Sequence, residues 1–140
     1  TDGDFTESKF CEIYNADLAN GIGNLCARIA KLCENNNVEV NYETADKFDP
    51  EFHTKIKEYK FNEVLDYIWR QIRALDVRLN AEEPWELDED NASSFLKQYV
   101  GKLLVISTQL RPFMPQTADK IITHFTGKIK AMEPLFPRLP

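Results

Sequence analysis

Glycine is scarce, with five in 140 residues, and no apolar run approaches the roughly 20 residues a membrane helix requires. The amino-terminal Thr1-Asp2-Gly3-Asp4 lacks the basic start and apolar stretch of a secretory leader, so the chain reads as soluble, cytoplasmic and without a membrane partner. Three cysteines, Cys11, Cys26 and Cys33, form no C-x-x-C pair. That odd set excludes a closed disulfide framework or a zinc ribbon and fits a reducing compartment. Missing too are a G-x-x-x-x-G-K-[ST] loop, a G-x-S-x-G elbow, an H-E-x-x-H pair and a glycine fingerprint after a strand, so this stretch of chain is not expected to catalyse a reaction alone. Nor is there an excess of base. The net charge of −6 argues against holding polyanions mainly by Coulomb attraction, and any nucleic-acid contact must be local and specific. Charge is uneven: residues 1–100 hold 11 Lys or Arg against 21 Asp or Glu, whereas residues 101–140 hold six against two.

What the chain does have is helical periodicity punctuated by proline. Its 43% hydrophobic content suffices for one compact domain over residues 1–140. Asp4-Phe5-Thr6-Glu7 has the form of a capping box, and a long helix is expected from there to about Asn35. Its seam, Leu18, Ile22, Leu25, Ile29 and Leu32, is spaced 4, 3, 4, 3. Gly21 and Gly23 inside it cost up to about 1 kcal/mol each relative to Ala, which suggests that another segment or a ligand approaches the backbone there, unless they are simply tolerated. After a polar, irregular stretch over 38–48, Asp49-Pro50 opens a short helix with Phe52, Ile56 and Tyr59 inward and a break or bend near Lys60. The clearest period runs from Phe61 to Glu82 through Phe61, Leu65, Ile68, Ile72, Leu75 and Leu79, and Pro84 stops it. A further helix starts near Ala92 with the seam Leu96, Tyr99, Leu103, Ile106 and Leu110. Pro112 and Pro115 mark a corner, and a last helix with Ala118, Ile121, Ile122 and Phe125 inward ends at Gly127. With no convincing strand, the expected fold is all-α, an antiparallel helical bundle of about five helices.

Few residues stand off these seams. Asn20, Asn24 and Arg28 step i, i+4, i+8 and drift by only about 40° each, leaving a polar stripe beside the first seam that also takes in Asp17. An amide and a guanidinium one turn apart offer a nucleobase edge a donor–acceptor pair and a planar fork of donors; a solvated flank with Arg28 paired to Asp17 has the same pattern. Trp85, after Pro84 in an acidic context, lies off both neighbouring seams and is expected to be partly exposed. It is either a face on which an unstacked base can lie or a plug at the bundle end. Trp69, one turn after Leu65, reads as core. His53 and His124 lack neighbours at metal-ligand spacing and read as structural, and the cysteines fall near the apolar seam as small hydrophobes. Lys102, Arg111, Lys120, Lys128, Lys130 and Arg138 either steer a phosphate backbone or form an ordinary solvated surface.

Taken jointly, several segments resemble the anticodon-binding domain of methionyl-tRNA synthetases, which are class I aminoacyl-tRNA synthetases. They are Gly3-Asp4-Phe5, the run Tyr14 to Asn20, Gly23-Asn24-Leu25-Cys26-Ala27-Arg28, Asn80 to Leu87 with Pro84-Trp85, the corner Leu110 to Ala118, and Leu135-Phe136-Pro137-Arg138. The proline corner alone also fits the leucyl, isoleucyl and valyl enzymes; Asn24, Arg28 and Pro84-Trp85 together narrow the likeness to the methionine enzyme. The resemblance implies that Asn24 and Arg28 read the first anticodon base, a cytosine, while Trp85 stacks on it, Pro84 shapes the turn and Asn20 makes a weaker contact. It also implies, as partners, the anticodon loops of initiator and elongator methionine tRNA and an amino-terminal catalytic domain of the same parent chain. ATP and Mg would belong to that domain, since the H-I-G-H and K-M-S-K-S motifs are absent here and no cofactor is expected in this segment. The parent would be an ATP-dependent methionine–tRNA ligase. A helical protein-interaction module is the alternative from another class.

Overall fold

The structure, a computed structural model, describes residues 21–41, 50–58, 61–133 and 135. The expectations attached to the Asp4–Glu7 box, Cys11, Asp17, Leu18, Asn20, Asp49, Tyr59, Lys60 and the closing Phe136-Pro137-Arg138 lie outside them. Five α-helices are described: α1 (Asn24–Asn35), α2 (Pro50–Lys57), α3 (Phe61–Glu82), α4 (Glu89–Leu110) and α5 (Pro115–His124). The helical class is as expected from sequence.

Helix α4 is central, packing against α5, α3 and α1, while α2 packs on α3. All five seam residues expected on α4 are buried, and so are Val100, Leu104, Ser107 and Gln109, because a helix enclosed on more than one side needs more than one apolar stripe. Ser107 donates to the Leu103 carbonyl, and Gln109 accepts a 2.6 Å bond from Gln71, so the buried polar atoms are satisfied. Asp88 caps α4 by accepting from the Asn91 amide at 3.1 Å. Helix α4 therefore starts at Glu89, three residues before the expected Ala92: the acidic run is its first turn, where negative charge suits the helix dipole.

Helix α1 ends in the asparagine run. Asn37 takes a left-handed conformation (φ 55°), and the Val38 amide donates to the Cys33 carbonyl at 3.0 Å, closing a Schellman motif. Asn36 O then accepts from Ser93 Oγ, and Asn37 Nδ2 donates to Glu89 Oε1. The carboxyl ends of α1 and α3 thus both lie where α4 begins.

One expectation needs correction: a small antiparallel sheet exists. Strand β1 (Glu39–Val40) pairs with β2 (Gly127–Lys128) in the register Glu39 to Lys128 and Val40 to Gly127. Val38 and Val40 are buried while Glu39 is exposed, the period of two of a half-buried strand, but over a length too short to stand out in sequence.

Candidate nucleic-acid interface

Residues 21–23 form a wider, π-helical turn that enters α1, with Gly23 buried and Ile22 fully so. Such turns interrupt the regular ladder and are frequent at functional sites. Immediately after it, Asn24 is exposed, and one turn further on Arg28 is also exposed, while Leu25, Cys26, Ile29 and Cys33 line the opposite, buried face. Burial raises both thiols to about 12, so they are inert hydrophobic groups at neutral pH, as their place near the seam suggested.

Arg28 is not free in solvent. Its Nη1 donates to Asp76 Oδ1 at 2.9 Å and its Nη2 to Asn80 Oδ1 at 2.8 Å. Both partners lie on α3, one turn apart, and Asn80 Nδ2 reaches back to Asp76 Oδ2 at 3.5 Å. The side chains remain open to water, at 41% for Arg28 and 46% for Asp76. Both partners come from a different helix, and the local pairing with Asp17 that sequence offered lies outside the described residues. Asp76 and Asn80 are the residues that sequence reasoning missed. Their only signal is two acceptors at i, i+4 off the α3 seam, and periodicity does not say which helix they face.

Five residues beyond Asn80 stands Trp85, 45% exposed, as its position off the seams suggested. The turn beneath it is built firmly. Glu83 adopts a left-handed conformation (φ 47°), Pro84 is buried, and Pro84–Glu86 form a 3-10 turn closed by Glu86 N to Glu83 O and Leu87 N to Pro84 O. A left-handed Glu ends α3 where glycine is usual, and proline fixes φ at the next step, so the chain turns sharply and carries the indole outward.

On the other side of the last turns of α3, Tyr99 Oη donates to Glu82 Oε1 at 2.6 Å and Arg78 Nε donates to the same oxygen at 2.9 Å. Arg78 also bonds Gln98 and lies 5.2 Å from the Tyr99 ring centre. Burial, then the bond to Glu82, pushes the Tyr99 phenol well above its ordinary value.

The predicted site residues are therefore placed as follows. Arg28 is tied by hydrogen bonds to α3, which leads into Pro84 and Trp85; Asn24 is exposed on α1, one turn before Arg28; Asn20 is outside the described residues. Among the described residues no hydrogen bond joins Trp85 directly to Arg28 or Asn24. Lys102, Lys120, Lys128 and Lys130 are exposed, and Arg111 pairs with Asp119 at 3.5 Å. His124 Nε2 lies 2.6 Å from the Lys130 carbonyl, and Trp69 is half-buried against the core. No group of three His, Cys, Asp or Glu among the described residues is arranged to hold a metal, and none of their helices is long and apolar enough to cross a membrane.

No family model matches the chain. Curated proteins do. The methionine–tRNA ligase of Clostridium acetobutylicum is 29% identical over 153 residues, covering 96% of this chain and 24% of its own length. That of Rickettsia felis is 28% identical over 140 residues (86% and 27%), and that of Thermotoga maritima 26% identical over 150 residues (92% and 23%). The chain thus spans about a quarter of the length of the curated relatives it matches, and the resemblance drawn from its motifs holds over most of its own length.

Proposed function

We propose that this chain is the carboxyl-terminal anticodon-binding domain of a cytoplasmic methionine–tRNA ligase. The first anticodon base, a cytosine, leaves its stack and lies on the Trp85 indole, and its edge is read by Asn24 and Arg28. Pro84 shapes the turn and Asn20 adds a weaker contact. Initiator and elongator methionine tRNAs both carry that base and are the proposed partners. Methionine activation with ATP and Mg belongs to the catalytic domain of the parent chain, and this domain contributes binding. One observation carries the reading: an indole 45% exposed stands on a rigid turn whose preceding helix holds the Arg28 guanidinium, in a chain similar over 86–96% of its length to methionine–tRNA ligases.

The chemistry favours cytosine over uracil. Cytosine presents two acceptors, ring N3 and the carbonyl O2, and an exocyclic amine donor, whereas uracil carries a proton on N3. The guanidinium supplies donors only, and the Asn24 amide supplies both kinds of group. A buried donor left facing a donor costs about 1–3 kcal/mol, roughly tenfold or more in affinity. Stacking on Trp85 adds about 1–3 kcal/mol and does not depend on which base is present.

Titration at low salt with two RNA anticodon stem-loops, differing only in cytosine or uracil at the first position, tests this. The wild type is expected to prefer cytosine by about tenfold. Asn24→Ala should narrow the preference, and Trp85→Ala should weaken both stem-loops alike. Equal binding of both RNAs by the wild type and both variants would overturn the reading.

A further inference from the structure

We infer that a half-open cleft between α3 and α4 is a binding site for a small organic monoanion with an apolar body, an aryl or branched-alkyl carboxylate. The cleft measures about 160 Å³ and is lined by Gln71, Ala74, Leu75 and Arg78 of α3 and by Lys102 and Ile106 of α4. It stands apart from the RNA reading, since Ala74 and Arg78 lie roughly 160° around α3 from Asp76, the residue that meets α1.

The gap has a cause in the sequence. Two side-chain bonds hold α3 against α4, one at each end of the cleft: Gln71 Nε2 donates to Gln109 Oε1 at 2.6 Å, and Arg78 Nη2 donates to Gln98 Oε1. Between them α3 offers only the methyl of Ala74, and α4 offers Lys102, whose charged end stays in water. Neither fills the space. Protein interiors pack without such voids, so the buried Leu75 and Ile106 form walls that an apolar body would cover, releasing water. An apolar cavity of about 150 Å³ admits benzene, so the space suits a single ring or a branched alkyl group.

Charge at the mouth selects what that body carries. Arg78 spends Nε on Glu82 and one Nη2 hydrogen on Gln98; among the described residues its Nη1 makes no hydrogen bond, and Lys102 makes neither a hydrogen bond nor an ion pair. Glu82 offsets Arg78, which leaves Lys102 as one uncompensated positive charge. A monocarboxylate can therefore accept from Arg78 Nη1 and Lys102 without breaking either bond that holds the helices. A phosphodiester has the same charge, but it would bring a sugar to apolar walls.

Titration of the whole isotope-labelled chain with phenylacetate, followed through the backbone amide resonances of Ala74, Arg78, Lys102 and Ile106, tests this. Binding is expected at about millimolar strength, as befits a probe of about ten non-hydrogen atoms. Phenylacetamide, of the same shape without the charge, should bind about fivefold more weakly, and acetate, without the ring, about tenfold more weakly or less. Lys102→Met keeps the stem and should bring phenylacetate down to the affinity of phenylacetamide while leaving phenylacetamide unchanged. Ala74→Phe fills the cleft from an exposed position that tolerates a larger side chain, and should abolish binding while the amide spectrum stays that of a folded protein. No shift of these amides across the millimolar range, equal binding of acetate and phenylacetate, or undiminished binding to Ala74→Phe would each overturn the inference.

Discussion

The last turns of α3 are flanked by two polar networks made of the same materials in different media. Toward α4, Arg78 and Tyr99 both donate to Glu82; Tyr99 is fully buried, and the Arg78 and Glu82 side chains are 32% and 26% exposed. Toward α1, Arg28 is held by Asp76 and Asn80 on a surface nearly half open to water. Charge interactions strengthen as water is excluded and weaken where solvent and salt screen them. The inner network therefore fastens the end of α3 to α4. The outer one contributes little to stability, yet it sets the direction of donors that stay accessible. Two arginines with partners of the same kinds, a carboxylate and an amide, thus serve cohesion in one place and, on the proposed reading, recognition in the other, and burial separates the two.

Three substitutions can break or sharpen that contrast. Tyr99→Phe should have the largest effect on folding, because it removes a short, part-buried bond to a carboxylate, worth about 1.5–3 kcal/mol; urea denaturation reads it directly. It also carries a pH signature. The folded phenol is raised above the value near 10 that it has when unfolded, so its contribution is complete below about pH 10 and is lost as pH rises beyond that. Cys26 and Cys33, raised to about 12, add a fall that begins near pH 9, and the variant should show a shallower decline than wild type above pH 10. Arg28→Ala should cost less than about 1 kcal/mol, and that cost should shrink further in high salt, as expected of an exposed pair. If instead it destabilises as much as Tyr99→Phe, the outer network is a fastener and the contrast fails. Trp85→Ala should change stability least, within about 0.5 kcal/mol, despite its expected loss of RNA affinity. A cooperative melt followed by circular dichroism suffices to rank all three.

Much of this architecture was legible in the residues. The sequence predicts both bounds of helix α3, because a seam spaced 4, 3, 4, 3, 4 runs into a proline. Even so, Val64 is buried while Leu65 is only half-buried: the true inward face is rotated slightly from the line of largest side chains. The strands escaped notice because two residues cannot display a period. Partnerships between helices were the least legible. That Arg28 meets Asp76 and Asn80 depends on which faces of α1 and α3 adjoin, and periodicity gives each helix its inward side without its neighbour. The π-helical turn at 21–23 adds a further limit, since a wheel drawn at 3.6 residues per turn cannot be carried through it. Asn24 and Arg28, both beyond it, keep their common face; the expected continuation to Asn20 crosses it.

The turn beneath Trp85 bears on kinetics as well. Glu83, the buried Pro84, the two backbone bonds that close the 3-10 turn and the Asp88 cap leave this segment few alternative shapes. If the indole receives a base, it is already displayed before the RNA arrives, and the rearrangement falls on the anticodon loop, which must expel its own base. Association rates would then vary with the ease of unstacking in the RNA and hardly at all with motions of the protein, so loops that differ in internal stiffness would be told apart by how fast they are captured.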